Sequence, residues 1–181
     1  MNDNSIRRAL SAELQIEAPE PLQEFRREFI TPPPDGSTQA GSLPFLVPMV
    51  YPFESQGDVE QLEDHIIESL SRVKKFKVFL RGITGYPGGF VLLNVKSGND
   101  RLILMHDLLH QGALKGLDNP LYSYFPHVLL FRCPTAEATR DAIMRGQRLQ
   151  QGFEATVEAV RIESISAQGE MALLSAIELE S

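Results

Sequence analysis

Apolar and polar positions alternate from Ala9 to Ala18, with Leu10, Ala12, Leu14 and Ile16 against Ser11, Glu13, Gln15 and Glu17. That is the period of a strand with one buried face. Pro19 and Pro21 interrupt it, and Leu22, Phe25 and Ile30 then recur at helical spacing up to Thr31. Pro32 to Pro34 and the following DGSTQAGS predict a loop. Leu43 to Phe53 predicts a strand in which Pro48, having no N–H, calls for an edge or a bulge. Asp58 to Val73 predicts the clearest helix, with Asp58 and Gln61 as its capping box and Val59, Leu62, Ile66, Leu70 and Val73 on one stripe. Lys74 and Lys75 fall at the end of that helix where the dipole favours cations.

Phe76, Val78 and Leu80 predict a strand that gives way to a glycine-rich loop, Gly82 to Gly89. Another strand follows from Phe90 to Val95, then an SGND turn and an apolar run from Leu102 to Leu109 that turns helical near Met105. Gly112 to Pro120 reads as a loop. The stretch LYSYFPHVLLFR, Leu121 to Arg132, sets one histidine, His127, at the mouth of an apolar strand. Pro134 and Thr135 open a helix in which Ile143 and Met144 supply apolar contacts, and Phe153 to Ile162 and Glu170 to Leu179 close the chain as strands joined through SAQGE.

The order strand, turn, helix, strand opening on phenylalanine occurs twice. Asp64 to Phe76 and Asp141 to Phe153 span the same interval, and in that register Val78 falls on Ala155 and Leu80 on Val157. Two tandem β-α-β lobes are the expected consequence.

Composition narrows this picture. With 181 residues and 43% hydrophobic content, the chain can bury a full core as one domain or as two lobes sharing it. A lone cysteine, Cys133, rules out an intrachain disulfide and a cysteine-rich zinc site. The 24 acidic against 17 basic residues, net −7, argue against a broad duplex-binding surface, yet leave room for a phosphorylated ligand held by one or two arginines. There is no run of 18 apolar residues, and MNDNSIRR lacks the apolar core of a signal peptide. A cytoplasmic protein that does not enter membranes is expected, with Met1 to Arg8 disordered.

The residues around His127 resemble the 2H phosphoesterase superfamily, which includes 2′-5′ RNA ligase-like proteins and cyclic nucleotide phosphodiesterases. Its members carry a His-x-Thr/Ser motif in each of two lobes, in contexts such as PPHVTLLYPF and YHPHVTLAR. The first context is matched by Leu43-Pro44 and Val50-Tyr51-Pro52-Phe53, the second by Tyr124-Phe125-Pro126-His127-Val128 and Arg132. The resemblance runs from near Ala12 to Leu179. It implies an α+β, bilobal fold over residues 1–181, with two pseudo-symmetric β-α-β lobes and antiparallel sheets around a central cleft. Counting back from Tyr51-Pro52-Phe53 puts Leu46 and Pro48 at the first motif's histidine and threonine; counting forward from Pro44 puts Phe45 and Val47 there. In the second motif His127 is retained and Leu129 replaces the hydroxyl residue. Phosphodiester opening wants a base to activate water or a hydroxyl and an acid to protonate the leaving oxygen, roles that two imidazoles across a cleft can exchange. The resemblance therefore implies a protein whose first motif is lost and second degenerate. It would be noncatalytic or catalytically altered, binding a nucleotide-like ligand or a protein partner between the lobes. The alternative is a 2′,3′-cyclic phosphodiesterase or 2′-5′ RNA ligase-like enzyme with a rearranged site.

His127 is the candidate catalytic group, and His127, Arg132, Tyr124, Tyr51 and Arg81 are the candidate ligand contacts. Each also has a plain structural use: a strand-end histidine bonded to a carbonyl, solvated arginines, aromatic packing between lobes. His106 and His110 are spaced for a metal pair on a helix, but HDLLH lacks the HExxH glutamate, so no metal is expected. GITGYPGG has neither the GxGxxG order nor a Walker lysine, and no cofactor is expected. A small nucleotide or an RNA end is the expected partner, and the pattern specifies no oligomeric state.

Overall fold

The computed structural model of the protein describes residues 8–16, 20–29, 45–55, 59–117, 123–149, 151–165 and 171–181. The strands are β1 (Arg8–Ile16), β2 (Phe45–Ser55), β3 (Phe76–Tyr86), β4 (Phe90–Ser97), β5 (His127–Arg132), β6 (Phe153–Val157), β7 (Ala159–Ile165) and β8 (Met171–Glu178). The helices are α1 (Glu20–Phe29), α2 (Val59–Leu70), α3 (Asn99–Leu109) and α4 (Ala136–Gly146). None of the helices among the described residues is long and apolar enough to cross a membrane.

The strands run in the order β6-β3-β4-β5-β2-β1-β7-β8, antiparallel throughout. At the centre, β5 and β2 share one residue pair, Leu46 with Leu129. The sheet therefore falls into two four-stranded halves that meet at β5 and β2, a bilobal α+β architecture. Helices α1 and α4 lie against the half containing β5, α2 against the half containing β2, and α3 against β2 with a smaller contact to β4 across the junction.

The halves are not the tandem units expected from the repeat. Strands β3 to β6 form one half continuously, whereas β1 and β2 join β7 and β8 from the far end of the chain to form the other. Val78 and Ala155, taken as equivalent positions, are cross-strand neighbours in a single half. Apolar periodicity specifies a strand's buried face but not the sheet that receives it.

Local chemistry explains most boundaries. Thr135 caps α4 by accepting a hydrogen bond from the Ala138 N–H at 3.1 Å. Within α4, Ile143 reaches Gly85 of β3, while Met144, expected to supply an apolar contact, is 69% exposed. Helix α3 begins at Asn99, earlier than the apolar pattern suggests, because Gly98 at φ +86° turns the chain directly from β4 into it. Helix α2 ends at Leu70. Lys74 and Lys75 therefore do not cap it: the Lys75 N–H donates to the Glu180 carbonyl, and its ammonium meets Glu178 at 3.1 Å. The last predicted strand but one breaks at Glu158 into β6 and β7. Strand β3 continues through the supposed glycine loop to Tyr86, since Ile83, Thr84 and Tyr86 suit a strand and Gly82 takes up a bulge at φ +87°. Pro48 lies beside a register shift in β2, at the junction of the halves. The Asp58 cap, the loop from Pro32 and the SAQGE connection lie outside the described residues.

Parity along the strands defines two faces. Val47, Met49, Val128 and Leu130 are almost fully buried and join Leu102 and Met105 of α3 in the core. Ile83 and Gly85 face α4. The alternate positions, Leu46, Pro48, Thr84, Leu92, Asn94, His127 and Leu129, lie on the opposite face, helix-free among the described residues.

Candidate functional site

Strand β5 carries His127 and Leu129 onto the helix-free face, and β4 sets Asn94 and Leu92 directly beside them. Leu46 of β2 stands opposite Leu129 on the same face. The two registers left open by the sequence are thereby separated. Leu46 and Pro48 share the face of His127, whereas Phe45 and Val47 turn to the core, where Phe45 lies 4.6 Å beneath the Arg26 guanidinium.

His127 is buried, at 7% exposure. Its Nδ1 lies 2.9 Å from the Phe125 carbonyl, which can only accept, so Nδ1 carries the proton and Nε2 is the basic nitrogen of the neutral ring. Burial pushes its pKa below the ordinary value, against a smaller opposing effect of the Phe125 hydrogen bond. The Phe125 ring stacks on the imidazole at 4.6 Å, and Tyr86 packs on Phe125 at 5.6 Å.

The depressed pKa has a stability consequence. As pH falls, the unfolded chain takes up the proton near 6.5, before the folded protein does. The contribution of His127 is therefore complete above that value and is lost as pH falls through the folded pKa. Denaturant unfolding measured from pH 8 to pH 5 should show this loss in the wild type, with a slope of at most about 1.4 kcal/mol per pH unit. His127→Gln should lack that component; equal slopes in the two proteins would contradict the assignment.

The other expected contacts fall on several sides of this histidine. Arg81 is exposed in the β3 bulge, where Arg81 and Gly82 together face Asn94. Arg132 is anchored at the other end of β5: its Nε donates to the Gly88 carbonyl at 2.8 Å, and its guanidinium lies 5.3 Å from the Phe90 ring centre. Tyr51 of β2 is half exposed; burial raises its phenol pKa, with a further contribution from Tyr86. Tyr124 is more enclosed. Its ring stacks on His106 at 3.9 Å, and its hydroxyl donates to the Pro48 carbonyl at 3.0 Å. Burial, then Tyr51, raises its pKa strongly.

His106 and His110 do lie together, with ring centres 4.1 Å apart. His110 Nδ1 bonds the His106 carbonyl and His106 Nδ1 meets Asp107, and no group of three or more metal-binding side chains occurs among the described residues. His65 bonds the Leu109 carbonyl and ties α2 to α3.

Sequence reasoning passed over two polar pairs on the sheet. Asn94 and Thr84 are hydrogen-bonded side by side next to His127. In the other half, Arg161 donates to Glu163 at 3.0 Å, and Glu163 is 2% exposed. The first depends on cross-strand register, which no motif announces, and the second on two positions of one strand; a polar residue inside an apolar run, such as Asn94 in FVLLNV, is the one available sign.

The sequence matches the model of the 2′-5′ RNA ligase superfamily over residues 14–168. No curated protein matches it by sequence. Among solved structures, Escherichia coli LigT complexed with NADP+ is similar at a TM-score of 0.57 and 17% identity, over 98% of this chain and 100% of that one. LigT complexed with 3′-AMP gives 0.59 at 15% identity, over 96% and 99%. Usb1 of Kluyveromyces marxianus with uridine monophosphate gives 0.55 at 12% identity, over 97% and 99%. At these identities the likeness is one of fold.

Proposed function

Because the chain belongs to the 2′-5′ RNA ligase superfamily, we infer that it binds a nucleotide or an RNA end on the helix-free face around His127, without the two-histidine chemistry of the 2H phosphoesterases. The observation that carries this reading is the pairing of Leu46 with Leu129 beside His127. Where the resemblance calls for a second imidazole and two hydroxyls, this face offers Leu46, Pro48 and Leu129. One neutral imidazole can accept a proton, but no second one stands ready to return it to a leaving oxygen.

Each contact has a role in that reading. His127 Nε2 accepts a hydrogen bond from a ligand hydroxyl. Arg81, level with Asn94 and His127, offers charge to a phosphate, and Arg132 offers charge at the far end of β5. Tyr51, with Tyr86 and Phe125, offers ring surface to a base. Tyr124 acts from behind, holding the Pro48 carbonyl and so the junction of the two halves. The relatives' bound 3′-AMP and uridine monophosphate support a ligand of this class.

A second reading, a phosphodiesterase acting on 2′,3′-cyclic phosphates or 2′-5′-linked RNA through a rearranged site, draws support from the same relatives and from a further structure of similar fold, described as a phosphoesterase. One panel separates the two. The wild type should bind 3′-AMP saturably, His127→Ala should bind it at least about tenfold more weakly, and neither should hydrolyse 2′,3′-cyclic nucleotides or short 2′-5′ RNA. Hydrolysis by the wild type that disappears in His127→Ala would establish the second reading in place of the first.

A further inference from the structure

The half of the site built by β3, β4 and β5 contains donors that the two motifs do not include. Between the pairs Leu80–Val95 and Ile83–Leu93, β3 sets two residues, Arg81 and Gly82, against one residue of β4, Asn94. On its other side Asn94 is paired with His127. Directly opposed side chains in such a pair have their Cβ atoms about 4.5–5.5 Å apart. A cation, an amide and an imidazole therefore occupy one row across three strands on the helix-free face. Gly82 leaves the amide uncovered: a Cβ there would stand 3.5 Å from Asn94 Nδ2.

Thr84 fixes this amide. Asn94 Nδ2 donates to the threonine hydroxyl at 2.7 Å, and the hydroxyl donates back to Oδ1 at 3.1 Å. An asparagine amide has two N–H groups and two acceptor positions, so Thr84 engages one of each and leaves an N–H to be directed elsewhere. His127, with Nδ1 committed to Phe125, presents an acceptor. A donor beside an acceptor, with an arginine in the same row, complements a phosphate ester whose sugar bears a free hydroxyl: the hydroxyl donates a hydrogen bond to Nε2 while a phosphoryl oxygen accepts one from the amide N–H.

We propose that Asn94 is a phosphate-binding residue of this site and Thr84 its positioning residue. This rests on the nucleotide-binding reading above. Calorimetric titration with 3′-AMP and with adenosine tests it in the full chain. Asn94→Ala should weaken 3′-AMP about ten- to a hundredfold, the usual effect of losing a hydrogen bond to a charged group, and leave adenosine unchanged. Asn94→Asp, nearly isosteric and bearing negative charge, should weaken 3′-AMP at least as much, and it keeps the test open if the alanine variant fails to fold. Thr84→Val should weaken 3′-AMP in part, with Thr84→Ser restoring it. Wild-type affinity for 3′-AMP in both Asn94 variants would overturn the assignment while leaving the nucleotide reading intact. Equal losses for 3′-AMP and adenosine would overturn the phosphate contact. Absence of 3′-AMP binding in the wild type would overturn both the nucleotide reading and this inference.

Discussion

The triple variant Leu46→His, Pro48→Thr, Leu129→Thr is expected to gain hydrolysis of adenosine 2′,3′-cyclic phosphate about 10²–10⁴-fold above the background rate that the wild type leaves unchanged, the usual contribution of a positioned acid-base partner. The expectation follows from the register. Leu46 faces Leu129 across the junction of the halves, and both share the face of His127. A histidine and two hydroxyls at these positions would therefore surround one point in space. Pro48 already interrupts the β1–β2 register, so threonine there adds an N–H without breaking a regular ladder. The companion variant Phe45→His, Val47→Thr, Leu129→Thr should gain nothing. It buries two polar groups in the core, where Val47 is fully enclosed, and it should be destabilised by several kcal/mol, on the order of 2–6 for the pair. A folded Leu46/Pro48/Leu129 variant with no rate gain would refute the placement of the first motif.

Gly89→Ala should be the most damaging small substitution near the site. Gly89 has φ +86°, a left-handed conformation that costs an alanine about 1–2 kcal/mol. A Cβ there would also lie 2.3 Å from the Cys133 carbonyl oxygen, which is backbone and cannot swing aside. The Cys133 N–H donates to the Gly89 carbonyl at 2.8 Å, and Arg132 is tied to Gly88. Relief of the clash would therefore pull the β3–β4 turn away from the end of β5. A loss of about 2–4 kcal/mol is expected in denaturant unfolding. Gly116→Ala is the matched control: its φ is +89° but nothing lies within 4 Å of the added carbon, so only the conformational part should appear. Equal losses at the two glycines would show that the Cys133 contact is not the cause.

The elements visible in the sequence are those decided by local chemistry. Alternation in β1, the apolar stripe of α2 and the threonine cap of α4 each carry their own signal within a few residues, and each element forms there, although α2 stops at Leu70 and leaves Val73 beyond it. What the sequence does not display is pairing. Glycines at 82 and 85 look like a loop until a bulge and the close approach of Ile143 account for them. The likeness of the two strand-helix-strand segments is real as periodicity, yet β2 and β3 part into different halves because strand order is settled by contacts far apart in the chain.

The site divides in the same way. The sequence singles out His127 and Arg132 as candidates because they stand in a recognisable string. Asn94 and Thr84 became visible only when β3, β4 and β5 were aligned. The choice between Leu46 and Phe45 is a single step of register, and one step exchanges the core face for the exposed face. The Leu46–Leu129 pair puts Leu46, and not Phe45, on the face of His127.

The central claim is that a nucleotide sits on the helix-free face with His127 Nε2 at its sugar-phosphate. A crystal structure of the protein with 3′-AMP tests this most directly. A sugar hydroxyl within about 2.6–3.2 Å of His127 Nε2, with the phosphate between Asn94 and Arg81, is the predicted result. A nucleotide bound on the helix side of the sheet, or one on the helix-free face with no contact to His127, would contradict it.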